Sequence, residues 1–290
     1  MTAPSPKIDL HMHTTLSDGR LTPEELVGLL DRQGVDIAAV TDHDSTEGLD
    51  AAMAAAERYP RLRLVAGIEI SADHPTDDKS DVHVLGYFLD YHDDAFQERL
   101  RGFRDDRLHR GERIVANLAE QGYPVAWERV LEIAGDAGVG RPHIAQAMVE
   151  RGYIKTVKEA FNGLLNDQGT AFVGRTHISI AESVELINSV GGVAVLAHPL
   201  YVPGYEALVP QLAGLGIVGF EVHYGEWSPD QRTDLARLAE RYGMLPTGGS
   251  DYHAMGHEGE HLPGTAGPPA EVFAELEKRA ELTRPGRSAR

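Results

Sequence analysis

The chain has 290 residues, 42% hydrophobic and 25% charged, which is enough for one large domain or a domain carrying an insertion. It contains no cysteine, which excludes disulfides and thiolate metal sites and leaves His, Asp, Glu and water as metal ligands. A net charge of -18 argues against duplex DNA as a partner, because broad phosphate neutralisation needs the opposite sign. Charges and prolines interrupt every apolar run before membrane-spanning length, so no membrane partner is expected. Met1 to Lys7 lack the apolar core of a secretory signal, and the expected location is the cytoplasm.

Seven short apolar runs read as buried parallel strands, each followed by a helical pattern. They are Ile8–Leu10, Ile37–Val40, Leu62–Ile70, Val82–Phe88, Val193–Ala197, Ile217–Val222 and Met244–Gly248. That alternation predicts an α/β fold, a closed barrel of seven units. The first helix has a full start signal: Thr22 as N-cap, Pro23 in the first turn, and Glu25 three residues after Thr22 as in a capping box. Gly34 is its stop. The rhythm breaks between Asp93 and Arg175, where every apolar face has helical spacing: Leu100–Phe103, Ile114–Leu118, Val130–Ile133, Ile144–Val149 and Val157–Leu165. The expected organisation is a discontinuous barrel over 1–92 and 176–275, a helical insertion over 93–175 that caps the barrel mouth, and a disordered tail over 276–290.

The histidines and carboxylates recur at the ends of these runs. Asp9-Leu10-His11-Met12-His13 ends the first, and two histidines at i and i+2 on a strand point to one side. Asp18 follows in a Ser-Asp-Gly turn, and Thr41-Asp42-His43-Asp44 ends the second run. Glu69 ends the third and His83 lies on the fourth. His198 ends the fifth, and Asp251 and His253 follow the seventh. A lone histidine near a strand is usually a satisfied polar residue. Six of seven runs with a metal-competent group at matching positions have no such explanation, and α/β barrels place active sites at the C-terminal ends of their strands. The His-x-His pair is shared with amidohydrolase barrels, which bridge their metals with a carboxylated lysine on the fourth strand. Here no lysine stands between Arg63 and Gly67 or between Val82 and Phe88, and Glu69 takes the place of the bridging carboxylate.

Taken together, Asp9-Leu10-His11-x-His13-x-x-x-Ser17-Asp18-Gly19, Thr41-Asp42-His43-Asp44, Gly67-Ile68-Glu69, Leu196-Ala197-His198-Pro199 and Gly249-Ser250-Asp251-x-His253 resemble the motifs of the PHP (polymerase and histidinol phosphatase) family. The resemblance spans about residues 7–255. Within it, Gly140-Arg141-Pro142-His143-Ile144-Ala145 is similar to the subgroup of nucleotide phosphoesterases that act on 3′,5′-bisphosphates and short RNA ends.

The resemblance implies a distorted seven-stranded (β/α)7 barrel with a helical insertion, and a site for three divalent metal ions, manganese first and iron or zinc next. The matching ligands are His11, His13, Asp18, His43, Glu69, His83, His198, Asp251 and His253. Only three of the nine are anionic, so three divalent ions would leave the site positive and attractive to a phosphate dianion. The implied reaction is hydrolysis of the 3′-phosphate of a 3′,5′-bisphosphonucleotide by in-line attack of a hydroxide bridging the metals, with His198, Asp18 and His43 at the reacting centre. Arg141 and His143 would grip the substrate's 5′-phosphate, and so would Arg175, which stands where similar proteins have lysine. The partner is therefore a nucleotide or short oligonucleotide with a 5′-phosphate. Alternatives are a 5′→3′ exoribonuclease on short RNA, a histidinol phosphate phosphatase and, in another class, a non-catalytic metal- or nucleotide-binding regulator. One departure is Glu221-Val222-His223-Tyr224-Gly225-Glu226-Trp227, where related sequences read Glu-Val-Tyr-His and then a further His; Trp227 either packs on the rim or stacks on a base.

Overall fold

The structure is a computed structural model that describes residues 5–77, 80–135, 139–166, 169–173, 178–256 and 259–283. Seven strands form one curled sheet in chain order: β1 (Ile8–Asp9), β2 (Ile37–Val40), β3 (Arg63–Asp73), β4 (Asp81–Tyr87), β5 (Val193–Leu196), β6 (Ile217–Glu221) and β7 (Leu245–Thr247). Past the strand ends the two edges meet: Asp251 N–H donates to His11 C=O and His13 N–H to Tyr252 C=O, both at 2.9 Å. This is the distorted seven-stranded barrel that the sequence led us to expect.

The expectation of seven parallel strands fails at one place. β4 is antiparallel to both β3 and β5, with Ser71 opposite His83 and Val84 opposite Leu196. The cause is the connection. Residues 74–80 are too few for a crossover, which needs about a dozen residues, so the chain returns as a hairpin. The reversal has a functional effect: it brings His83, near the start of β4, to the same barrel end as Glu69, near the end of β3.

Around the sheet run α1 (Pro23–Gln33), α2 (Leu49–Ala56), α7 (Ile180–Ser189), α8 (Tyr205–Leu215) and α9 (Pro229–Tyr242). α1 begins as its sequence predicts. Thr22 accepts from Glu25 N–H, the Glu25 side chain accepts from Thr22 N–H, and Gly34 closes the helix in the left-handed conformation at φ 67°. Between β4 and α7 lie α3 (Asp94–Glu120), α4 (Trp127–Ala134), α5 (Arg141–Glu150) and α6 (Val157–Phe161). These four helices share a core of their own, including Ile114, Leu118, Val130, Ile144, Met148 and Leu165. α3 belongs to both bodies, since Phe96 and Leu100 in its first turns pack into the barrel's outer core.

The tail expected to be disordered from residue 276 is instead helical as far as Thr283. It forms α10 (Ala270–Thr283), with Phe273, Leu276 and Ala280 packed into the core that fills the barrel. Arg279 caps the carbonyls of Val218 and Gly243, and Thr283 donates to Gly191 and Gly192, so α10 seals the strand ends opposite the mouth. Its apolar residues recur at helical spacing among charged ones and form a stripe. Phe273→Ala should cost about 3 kcal/mol of stability in a urea unfolding experiment, as expected for a fully packed aromatic; a loss below about 0.5 kcal/mol, the surface range, would show that α10 does not seal the core.

Candidate metal centre

At the barrel mouth the backbone continues β1 through Met12, whose side chain packs among α1 and α2, while His11 and His13 on either side of it turn toward one another with ring centroids 5.1 Å apart. The loop that follows is tied down by the buried Asp42 carboxylate, which accepts from Thr14 N–H and Thr14 Oγ at 2.7 Å and from Ser17 Oγ at 2.5 Å. Asp18 is thereby held 3.2 Å from His253. Asp9 performs a similar task on the opposite side of β1, accepting from Ser250 N–H at 2.9 Å and Gly264 N–H at 2.7 Å. Burial pushes the Asp9 carboxyl up to about 6, against these donors. Gly249 lies so close to β1 that a Cβ there would sit 2.4 Å from His11 Cβ, and only glycine lets the Asp251–His253 loop reach the site.

Glu69 is the centre of the cluster and is 1% exposed. One of its oxygens, Oε2, lies 3.2 Å from each of His11 Nε2, His13 Nε2 and His43 Nδ1. The other, Oε1, lies 2.8 Å from His83 Nδ1 and 3.1 Å from His198 Nε2. Asp251 Oδ1 is 3.2 Å from both His11 and His13. All nine residues read from the strand ends therefore converge. Among the described residues three sets have ligand atoms within 4.8 Å of one another: His13, Asp18, His43 and His253; His11, His13 and Glu69; His43, Glu69 and His83.

The arrangement fits divalent ions on two counts. Two donors on one ion, each about 2.1 Å from it, stand about 3.0–3.4 Å apart for right-angled to tetrahedral placement, and the repeated 3.2 Å spacing falls in that range. Further, His13 Nε2, Asp18 Oδ1 and His43 Nδ1 are buried without a hydrogen bond, a costly arrangement that a cation would relieve. Backbone strain is concentrated here too: His198 at φ 24°, Asp44 at φ 49° and Asp251 at φ 54° all lie in left-handed territory.

Several participants are absent from the strand-end reading. Glu221, fully buried at the end of β6, holds His11 Nδ1 at 3.1 Å with both oxygens and accepts from His198 N–H at 2.8 Å. It stands at the position that carries a ligand on the other strands, which was its available signal. Tyr224 donates to Asp251 Oδ2 at 2.7 Å. Arg107 on α3 donates to Asp44 Oδ2 and, at 3.2 Å, to Ser71 Oγ. Arg110, one turn on, donates to Val173 C=O at 2.6 Å and lies over the Phe172 ring.

A cavity of about 210 Å³ separates the metal centre from the helices. Asp18, His43, Ser71 and His83 form one wall, and Arg107, Arg110 and Arg141 belong to the other. Arg141 stands at the start of α5, over the Phe161 ring and 3.6 Å from Asp81. His143 accepts from Gly140 N–H at 3.0 Å and so fixes that helix start. Burial pushes its pKa down, against the Asp18 carboxylate. Arg175 lies outside the described residues. Trp227 is 6% exposed, packed beneath Tyr201 and Tyr224 on the rim.

Without metal, the carboxylates hold protons on the imidazoles. Burial opposes charge on His13, yet Asp251, Glu69 and Asp18 push it up to about 10. His11, His198 and His253 are also raised against the cost of burial, chiefly by Asp251, Glu69 and Asp18 respectively. Burial takes His43 down to about 3. Metal binding must displace those protons, so affinity should rise with pH through neutrality and loading should release protons. Calorimetry in buffers of different ionisation enthalpy checks this, and loading with no proton release would contradict it. Glu221→Gln, which keeps the shape but removes the charge behind His11, should weaken metal binding about 10- to 100-fold in the same experiment.

Among the described residues, no helix is long and apolar enough to cross a membrane. Residues 9–160 match the PHP domain. The chain is 35% identical to the 5′-3′ exoribonuclease Rnm of Salmonella typhimurium, over 84% of each chain. It is 32% identical to the 3′,5′-nucleoside bisphosphate phosphatase of Chromobacterium violaceum, over 94% of this chain and 97% of that one. A crystal structure described as that of a metal-dependent phosphoesterase from Bifidobacterium adolescentis superposes with a TM-score of 0.84 at 31% identity, covering 95% of this chain and 97% of the other. With a mouth built from histidine and carboxylate on that barrel, the chain belongs to the PHP family and is a metal-dependent phosphoric ester hydrolase.

Proposed function

We propose that this enzyme removes the 3′-phosphate from 3′,5′-bisphosphonucleotides. The observation that carries the reading is the cavity with a metal-ligand wall on one side and Arg107, Arg110 and Arg141 on the other. Such a space suits a substrate with two anionic groups a fixed distance apart. The scissile phosphate goes to the histidine and carboxylate wall, and the 5′-phosphate to the guanidinium groups and the start of α5, whose N–H groups favour an anion. Ile114, Val139, Ile144 and Phe161 line the remainder and offer apolar contact to the sugar.

The nine converging residues would hold up to three divalent ions, manganese being our first choice. Bound divalent ions supply Lewis-acid charge for the phosphoryl oxygens and activate water for attack on phosphorus. The protein's own groups do the rest. Asp18 and His43 face the cavity at the reacting end. His198 stands behind that wall, its ring 5.1 Å from the His83 ring, and completes the reacting end. Arg107, Arg110, Arg141 and the His143-capped start of α5 measure the distance from scissile phosphate to 5′-phosphate; Arg175 would join them. Exoribonuclease action on short RNA is the second reading, supported by the similarity to enzymes of that name and by a 5′-phosphate pocket that serves either substrate. A histidinol phosphate substrate is disfavoured by the charge of the cavity, since its amine calls for a carboxylate where the helices place arginine.

The test is phosphate release by manganese-loaded protein from adenosine 3′,5′-bisphosphate and from histidinol phosphate, side by side. Release should be fast from the first. Arg141→Ala and Arg107→Ala should each lower kcat/KM at least tenfold, mainly through KM, as expected on losing a charge-assisted phosphate contact of about 1.5–3 kcal/mol. Release from histidinol phosphate alone would overturn the substrate assignment.

A further inference from the structure

We propose that Tyr201 is a stacking platform for the base of the nucleoside downstream of the scissile phosphate, which would make it the residue that admits an RNA chain as well as a mononucleotide. The inference rests on the nucleotide reading above and extends it to a part of the site no part of that reading uses.

The cavity is small. At about 210 Å³ it lies below the range of about 300–1,000 Å³ typical of pockets that enclose drug-sized ligands. It has room for the 5′-terminal phosphate and its sugar, and a second nucleoside must lie outside it. Cleavage adds water across the P–O3′ bond: the oxygen of water joins phosphorus, the 3′ oxygen leaves with a proton, and the phosphate stays on the 5′ oxygen of the downstream nucleoside. That nucleoside therefore hangs from the reacting phosphorus itself, through an oxygen equatorial to the line of attack, and extends sideways from the metal centre across the mouth.

His198 lies beside His83 of the cavity wall but is not among the residues that line the cavity, and the aromatic residues of the rim adjoin it. Tyr201 ends the short 3₁₀ turn Pro199–Tyr201, and its N–H donates to His198 C=O at 3.0 Å, which fixes it relative to the site. Its ring is 5.6 Å from the His198 ring and rests edge-on against Trp227 at 5.1 Å and Tyr224 at 6.2 Å. Tyr224 in turn is bonded to the Asp251 carboxylate. Trp227, at 6% exposure, is covered and cannot stack on a ligand, whereas Tyr201 is 53% exposed and is the ring this cluster presents to solvent. Its hydroxyl donates to the Glu226 carboxylate, which pins the ring and puts negative charge beside it. A negative neighbour repels a phosphate and suits the neutral face of a base.

The experiment compares Tyr201→Ala, Tyr201→Phe and wild type, at equal metal content, on three substrates. These are a 3′,5′-bisphosphonucleotide, a 5′-phosphorylated dinucleotide, and the same dinucleotide with an abasic downstream sugar. Tyr201→Ala should lose about tenfold more kcat/KM on the dinucleotide than on the bisphosphate, the size of effect expected for one lost base–aromatic stack. That excess should vanish on the abasic substrate, and Tyr201→Phe, which keeps the ring, should lose less than Tyr201→Ala on the dinucleotide. Equal losses on all three substrates, or no loss on the dinucleotide, would overturn the assignment. So would a wild type that hydrolyses the bisphosphate but not the dinucleotide, and that result leaves the phosphatase reading intact. A wild type inactive on every substrate would sink the nucleotide reading and this one with it.

Discussion

A single buried carboxylate organises this molecule. Glu69 is surrounded by five imidazoles, three at one oxygen and two at the other, and they arrive from four strands, His11 and His13 together from the end of β1. Burying a carboxylate is costly unless cations or donors surround it. The requirement that β1, β2, β4 and β5 all deliver a histidine to one point fixes how those strands are staggered at the mouth. Asp9, Asp42 and Glu221 are the outer supports that make this convergence affordable. Each is buried, and each accepts hydrogen bonds from backbone or side chain at the edge of the cluster.

The reversal of β4 belongs to the same requirement. A parallel strand would carry a ligand at its last residues, whereas an antiparallel one must carry it at its first. His83 lies two residues after the start of β4, in register with Ser71 beside Glu69. The hairpin thus supplies a ligand without a crossover helix between β3 and β4, and this leaves that face of the mouth open to the helices that follow. α3 enters there, tied to the ligand-bearing loop after β2 by Arg107 to Asp44 and Arg104 to Glu47.

Much of this was legible in the sequence because metal chemistry constrains residue type, and barrel geometry constrains where those types recur. His11, His13, Asp18, His43, Glu69, His83, His198, Asp251 and His253 could be read off strand ends for that reason, and the structure brings them together. The direction of β4 was not legible, since an apolar run has no polarity of its own and only the shortness of the 74–80 connection marked it. Arg107 and Arg110 were hidden in a helix rich in charge, where solvated arginines and cavity-lining ones have the same spacing. Glu221 escaped because an acid that steadies a histidine resembles in sequence one that binds metal or faces water. The stripe of α10 was obscured by the turn-forming residues before it and the charges within it.

The core shared by α3 to α6 is built from residues separate from those that fill the barrel, and among the described residues none of the nine converging groups lies in it. The arginine wall of the cavity, by contrast, is carried entirely by these helices. On the proposed reading, the reacting groups and the grip on the 5′-phosphate lie in different stretches of the chain. On that reading, change confined to the helical stretch would alter which phosphate ester is accepted and leave the reaction centre as it is. Descendants of one ancestor can in this way diversify in diet without reinventing their chemistry.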